Sequence, residues 1–138
     1  MTTTTDSITV DQFIPRPPSA VWTAITTPEG IAAWWAPGDI APVVGHRFLL
    51  EMPGWGNVPC EVLEVVEPER LVHRFADWAL TWTLVAEGTG TRLLLEHAGF
   101  DLDDPQHRFA FDHMGPGWRD EVLPRLAALV AGDAPAAD

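Results

Sequence analysis

Alternation of apolar and polar residues through the middle of the chain constrains its fold more than any other feature. Between residues 43 and 97, apolar side chains occupy every second position in several segments, and short turn sequences such as EGTG at 87–90 separate them. A period of two is typical of a β-strand with one buried face. Strands joined in succession by tight turns form an antiparallel meander. The pattern therefore predicts five consecutive strands in this region.

One strand and two short helices are predicted before the meander. Ser7–Ile14 alternates as a strand, and Ser19–Thr26 carries apolar residues at helical spacing. Thr27 and Pro28 then suit the N-cap and the first position of a second helix, which Pro37-Gly38 ends.

A long helix is predicted after the meander. Asp104-Pro105 is a helix start, and an apolar stripe at helical spacing runs on to Val130. We expect a break near Met114–Pro116, where the sequence GPG begins, with the longer part of the helix after it.

Taken together, these elements predict one α+β domain over residues 7–131, with disordered tails at 1–6 and 132–138. Its helices cover one face of a curved six-stranded antiparallel sheet, and two of them are short and lie between strands 1 and 2. Such a sheet wraps around a long C-terminal helix and can leave a cavity between them.

The charge and the cysteine content exclude several classes of function. The net charge is −12, and all eight basic residues are arginines. This acidity argues against binding to nucleic acid or to an anionic membrane. The single cysteine, Cys60, permits no internal disulfide, and neither a signal peptide nor an apolar run of membrane-spanning length is evident. We therefore expect a cytoplasmic protein.

Five segments carry a resemblance to a known family: RPPSAVWTAITTPEGIAAWWAP, VGHRF, VLEVVEPERLVHRF, WTLVAEGTGTRLLLEHAGF and GWRDEVLPRLAALV. In this order they resemble the bacterial START-like (SRPBCC) domains, and within these the branch named after the activator of heat-shock-protein-90 ATPase. The resemblance spans residues 8–131. It implies a helix-grip fold with an apolar cavity between sheet and last helix. The family includes lipid and hormone carriers, aromatic polyketide cyclases, dehydratases and chaperone regulators, so it implies little about activity.

We predict that the ligand cavity is lined by residues on the inward faces of the strands and on the helices. These are Trp34, Trp35, Phe48, Leu50, Trp82, Leu95, His97, His113, Trp118 and Val122. His97 is the polar group of greatest interest, since an inward histidine could orient a ligand or transfer a proton. A histidine satisfied by a backbone carbonyl at the end of the sheet is the alternative.

No catalytic residue, metal site or cofactor is assigned. The five histidines lack the spacing of a helical zinc motif, and no cysteine pair supports them.

The adjacent tryptophans of EGIAAWWAP border one apolar stripe of the second short helix. Helical geometry places neighbouring residues about 100° apart around the axis. We therefore expect one ring, Trp34 in preference, to pack as core, while Trp35 lines or covers the cavity mouth.

The favoured function is binding of an apolar, lipid-like or aromatic, small molecule. A cyclase- or dehydratase-like enzyme that uses His97, and a regulator of a chaperone ATPase, are the alternatives. Whether any reaction is catalysed stays open. So does a homodimer formed through exposed aromatic residues such as Trp55.

Overall fold

The five strands of the central region pair with one another in sequence order, which confirms the predicted meander. The computed structural model describes residues 5–52 and 56–131. The strands are β1 (Thr5–Ile14), β2 (Arg47–Met52), β3 (Gly56–Val66), β4 (Arg70–Phe75), β5 (Trp78–Glu87) and β6 (Gly90–Asp101). The first strand completes the sheet by pairing with the last, so the order is β1-β6-β5-β4-β3-β2, antiparallel throughout.

The helices lie where the sequence predicts them. They are α1 (Pro18–Thr26), α2 (Pro28–Trp34), α3 (Pro105–Gly117) and α4 (Leu123–Ala131). A π-helical turn, Trp118–Val122, joins α3 to α4, so that one helix of 27 residues packs on the sheet. The α+β architecture is therefore confirmed. Among the described helices, none is both long and apolar enough to cross a membrane.

Some predicted boundaries differ from the structure. Strand β1 begins at Thr5, two residues earlier than predicted. The rest of the predicted tails, residues 1–4 and 132–138, lies outside the described residues, as does Trp55.

Two β-bulges interrupt the regular register of the sheet. In β6, Ala98 pairs with Ser7 and Phe100 with Asp6, which leaves Gly99 as an extra residue with a φ of 98°. In β3, Leu63 is the extra residue opposite β4. Bulges bend a strand and increase its twist, which helps the sheet to curve around the helix. The first bulge also turns Phe100 toward the core, where it is fully buried.

The predicted alternation sets which strand residues enter the core. Inward positions of β4, β5 and the first part of β6 are buried, and their neighbours are more exposed; the buried ones include Leu71, His73, Phe75, Trp78, Leu80, Trp82, Leu84, Leu93, Leu95 and His97. This core lies between the concave face of the sheet and the helices.

Both predicted helix caps are present. The Thr27 hydroxyl accepts a hydrogen bond from the Gly30 N–H at 3.1 Å, and Asp104 accepts from the Gln106 and His107 N–H groups at 2.8 and 3.4 Å. These side chains satisfy N–H groups that a helix start otherwise leaves without partners.

The expected break near Met114–Pro116 is wrong, because α3 runs through Pro116 to Gly117. A proline removes one N–H donor, and its ring presses on the carbonyl four residues earlier. The regular hydrogen-bond pattern changes further along the helix, just before Pro124. There the Leu123 N–H bonds to the Trp118 carbonyl, five residues earlier in the chain. This wider turn makes room beside the ring of Pro124 without ending the helix.

Two glycine substitutions test the role of the bulge. Gly99→Ala should lower the free energy of unfolding by about 1–3 kcal/mol, because a φ of 98° strains any side-chain-bearing residue. An added Cβ would meet its nearest atom, the Asp77 carbonyl oxygen, at 3.7 Å, so steric clash adds little.

Gly117→Ala is the matched control for urea denaturation. Gly117 lies in a helix with a φ of −60°. Apart from its chain neighbours and the backbone of its own helix, no described atom lies within 4 Å of an added Cβ. It should raise stability by about 0.5–1 kcal/mol. Equal effects at the two sites would contradict this interpretation.

Candidate functional site

Four tryptophans that are far apart in sequence meet under the C-terminal helix. Trp34 and Trp35 come from the end of α2, Trp82 from β5 and Trp118 from the π-helical turn; we call this set the tryptophan cluster. Ring centroids are 5.7 Å apart for Trp34 and Trp82, 5.2 Å for Trp35 and Trp118, and 5.8 Å for Trp82 and Trp118. Such edge-on and tilted contacts add to the stabilisation that burial of aromatic area supplies.

The expected divergence of the adjacent tryptophans is wrong. Their rings stack at 5.6 Å with 21° between the planes. The 100° rule requires both residues to be helical, but α2 ends at Trp34, and Trp35 leaves the helix with φ −127° and ψ −84°. Trp34 is 1% exposed and donates its indole N–H to the Ala24 carbonyl at 2.8 Å, whereas Trp35 is half-buried.

Two buried histidines accept hydrogen bonds from the tryptophan cluster. Trp82 donates its indole N–H to Nε2 of His73 at 3.0 Å, and Trp118 donates to Nδ1 of His97 at 3.1 Å. His73 then carries its proton on Nδ1, 3.0 Å from the Arg74 carbonyl oxygen. His97 carries its proton on Nε2, which finds no acceptor among the described residues.

Burial keeps both rings neutral. It lowers the pKa of His73 to about 4, against the opposing effect of the hydrogen bond to Arg74. It lowers the pKa of His97 to about 3, and the proximity of His73 adds to the shift. A neutral ring is what the tryptophans require, because a protonated imidazole has no lone pair to accept an indole N–H.

Two adjacent clefts open between the sheet and the C-terminal helix. The larger one has a volume of about 700 Å³ and is bounded by the start of β3, the β4–β5 turn and the first half of α3. Its walls are formed by Asn57, Val58, Pro59, Phe75, Ala76, Asp77, Trp78, Pro105, Gln106, His107, Phe109 and Met114. The smaller one, of about 180 Å³, is lined by Trp35, Met52, Phe75, His113, Met114, Gly117, Trp118 and Val122. Phe75 and Met114 form part of both walls.

The structure divides the predicted cavity residues into two groups. Those that line the smaller cleft are Trp35, His113, Trp118 and Val122. Those that are buried in the core and line neither cleft are Trp34, Phe48, Leu50, Trp82, Leu95 and His97. The side chains of the tryptophan cluster occupy the volume that the inward-facing residues of the strands face.

Sequence reasoning missed most of the larger cleft. Its walls come from a turn, a strand end and the first turns of α3, where alternation carries no information. The helix start at Asp104-Pro105 was visible in the sequence, but nothing indicated that it would face the β4–β5 turn. Trp78 belongs to the alternating pattern of the meander, which does not indicate that this residue borders a cleft.

His107, Asp77 and Trp78 bring polar atoms to the wall of the larger cleft. His107 accepts the Asp101 backbone N–H on Nδ1 at 2.9 Å, and its Nε2 lies 3.5 Å from Oδ2 of Asp77. The ring of Trp78 packs on His107 at 5.2 Å and on Phe100 at 5.1 Å. Within the described part of the chain, its buried indole N–H has no acceptor.

Neither a metal site nor a reactive thiol is indicated within the described ranges. They contain no group of three or more His, Cys, Asp or Glu side chains that could hold a metal ion. Burial raises the pKa of Cys60 to about 12, so its thiol stays protonated at neutral pH.

A curved antiparallel sheet that holds a long C-terminal helix, with clefts along that helix, defines the START-like (SRPBCC) class of domain. Within this class, residues 15–131 match the model of the Activator of Hsp90 ATPase homolog 1-like proteins. The match covers most of the chain, and the chain belongs to this family.

Solved structures of similar proteins support this assignment. Protein MLL2253 from Mesorhizobium loti is 29% identical, with a TM-score of 0.78, and the alignment covers 96% of this chain and 99% of that one. Protein BH1534 from Bacillus halodurans is also 29% identical, with a TM-score of 0.81 and coverage of 94% and 99%. CalU16 from Micromonospora echinospora is 29% identical, with a TM-score of 0.74 and coverage of 94% and 78%. No curated protein matches the chain.

We expect the two buried histidines, His73 and His97, to make the folded protein less stable in mild acid. Their pKa values lie below the 6.5 of an unperturbed histidine. Between pH 6.5 and about 4, the unfolded chain therefore binds protons that the folded chain excludes. The free energy of unfolding should fall as pH falls through this range, by about 2 kcal/mol per histidine at pH 5 relative to pH 7.5.

Urea titrations across this pH range measure the effect. His73→Gln and His97→Asn place an amide oxygen near the accepting nitrogen and cannot titrate. In each single variant, the slope of the free energy of unfolding against pH should correspond to one proton fewer taken up on unfolding. In the double variant it should correspond to two fewer. The assignment would be contradicted if the stability of the double variant depended on pH as steeply as that of the wild-type protein.

The stacked tryptophans should differ in what they contribute. Trp34→Phe removes the donor to the buried Ala24 carbonyl and should cost about 2 kcal/mol of stability. Trp35→Phe should cost less than 1 kcal/mol, because Trp35 is half-buried at the wall of the smaller cleft. Chemical denaturation of both variants measures the two losses in the free energy of unfolding. A larger loss for Trp35→Phe than for Trp34→Phe would contradict this prediction.

Proposed function

We propose that this protein binds an apolar small molecule in the larger cleft between the sheet and α3. The observation that carries the proposal is a cleft of about 700 Å³ with largely apolar walls and a few polar side chains among them. Small-molecule sites commonly have volumes of about 300–1,000 Å³, apolar walls and a few polar groups that fix orientation.

The walls favour a flat or elongated apolar ligand. Phe75 and Trp78 supply aromatic surface from the sheet, and Met114 supplies a flexible thioether from the helix. Phe109 stands at the rim, 56% exposed and stacked on His113 at a centroid distance of 4.1 Å. An exposed aromatic ring beside an apolar cleft is surface that a bound ligand would cover.

Binding is favoured over catalysis by the state of His97. A general base needs a pKa near the working pH and a free lone pair. The pKa of His97 is lowered to about 3, its Nδ1 already accepts from Trp118, and it lines neither cleft. A cyclase-like reaction through this residue is therefore the weaker alternative. Activation of a chaperone ATPase, which the family description names, is also kept as an alternative.

Filling the cleft tests the proposal. Met114 contributes to both cleft walls, so Met114→Trp should occupy the space and weaken binding of the neutral fluorescent probe N-phenyl-1-naphthylamine at least tenfold. Titration of the probe, followed by its emission, measures the dissociation constant.

Leu94→Trp is the matched control, since Leu94 is 36% exposed and lines neither the larger nor the smaller cleft. It should leave probe binding unchanged. Tight binding that survives Met114→Trp would place the probe elsewhere and overturn the proposal. Failure of the wild-type protein to bind the probe would overturn it as well.

A further inference from the structure

The two clefts follow one another along the C-terminal helix and share part of their walls. The larger one takes its helical wall from Pro105 to Met114, and the smaller one from His113 to Val122. At a helical rise of about 1.5 Å per residue, Pro105 and Val122 lie about 25 Å apart along the helix axis. The combined space is therefore long, and it runs parallel to the helix.

A row of aromatic rings connects the two clefts. Phe75 belongs to both walls, and its ring centroid is 6.1 Å from that of Trp78 in the larger cleft and 5.4 Å from that of Trp35 in the smaller one. Trp35 in turn lies 5.2 Å from Trp118, which also lines the smaller cleft. These rings supply apolar surface from one cleft to the other.

The two side chains that line both clefts, Phe75 and Met114, differ in their freedom to move. Phe75 is 2% exposed, and the ring of His97 packs on it edge-on at 5.7 Å. Met114 is half-buried on α3, and a methionine side chain is unbranched, with three rotatable bonds. Met114 is therefore the side chain that can move aside between the clefts, while Phe75 stays in place.

The smaller cleft is too small to serve as a ligand site by itself. Its volume of about 180 Å³ is below the roughly 300–1,000 Å³ of most small-molecule sites, whereas the two clefts together remain within that range. Its walls are nevertheless largely apolar, with Trp35, Met52, Trp118 and Val122 among them. They suit a narrow apolar extension of a molecule whose main part lies in the larger cleft.

We infer that Met114 selects ligands with a slender apolar tail, which passes between Met114 and Phe75 from the larger cleft into the smaller one. The inference rests on the proposed binding function and adds the chemical class of the ligand, a broad apolar body joined to an unbranched alkyl chain. The apolar area of the chain that leaves water supplies the free energy for its entry. The Met114 side chain limits the width of the tail that passes.

Ethers of 2-naphthol separate the contribution of the body from that of the tail. 2-Methoxynaphthalene and 2-butoxynaphthalene share the ring system and differ by three methylenes, and each is titrated as a competitor of N-phenyl-1-naphthylamine. Each methylene that leaves water contributes about fourfold in affinity. The butyl ether should therefore bind at least about tenfold more tightly than the methyl ether, and up to about sixtyfold if all three methylenes are buried.

Gly117→Leu tests whether the gain arises in the smaller cleft. Gly117 lines the smaller cleft and not the larger one. Apart from its chain neighbours and its own helix backbone, no described atom lies within 4 Å of an added Cβ, so a leucine has room to occupy the place of the tail. The ratio of the butyl-ether affinity to the methyl-ether affinity should fall to within about twofold of one.

Ala128→Leu is the matched control for Gly117→Leu. It introduces the same side chain at an exposed position of α4 that lines neither cleft. The ratio of the two affinities should stay at its wild-type value.

Met114→Ala tests the limit on width. 2-Benzyloxynaphthalene ends in a ring instead of a chain, so in the wild-type protein it should bind within about threefold of the methyl ether. Truncation of Met114 opens the passage between the clefts. In this variant the affinity of the benzyl ether relative to the methyl ether should rise at least about tenfold.

The outcomes separate this inference from the proposed function. Equal affinities of the methyl and butyl ethers, with the probe still bound, overturn the inference and leave the proposed function in place. A butyl gain that survives Gly117→Leu puts the tail elsewhere and overturns the inference as well. A benzyl ether that gains nothing from Met114→Ala overturns the role of Met114. If neither the probe nor any ether binds, the proposed function and this inference fail together.

Discussion

Hydrogen bonds between buried indoles and buried imidazoles connect two strands of the sheet to each other and the sheet to the helix that it holds. Trp82 and His73 are neighbours across β4 and β5, while Trp118 and His97 join the π-helical turn to β6. Each histidine gives a buried indole N–H its acceptor, and each must stay neutral to do so. The chain uses no tyrosine and no lysine, and histidine serves here as a buried acceptor.

This arrangement also determines where the protein has space. The tryptophan cluster fills the region between sheet and helix at which the inward strand residues point. His97 is buried beside this cluster, among the rings of Phe75, Trp78, Phe100 and Trp118. The larger cleft lies further along the helix, beside Trp78 and the first turns of α3. A bulge at Gly99 contributes, because it turns Phe100 inward to pack on Trp78 at 5.1 Å.

The fold could be predicted from the sequence because each of its signals is local. A period of two, tight turns at glycines and caps at Thr27 and Asp104 depend on residues within a few positions of one another. The candidate site could be predicted only in part. Trp118 and Val122 follow from helical spacing beside the sheet, but Phe48 and His97, which the strand pattern places at the cavity, are buried in the core and line neither cleft. Pattern identifies the inward face of a strand, and it carries no information on whether another ring already occupies the space.

The sequence by itself determined the element order, the antiparallel meander, the six-stranded sheet, the covered face and the family. Only the tertiary structure decided the stacking of Trp34 on Trp35, the π-helical turn before Pro124, the acceptor roles of the histidines and the position of the larger cleft. The physical reason is the range of the interactions. Backbone preferences act over a few residues, whereas ring packing and buried hydrogen bonds join residues such as His97 and Trp118, 21 positions apart, and depend on three-dimensional distances that no periodicity encodes.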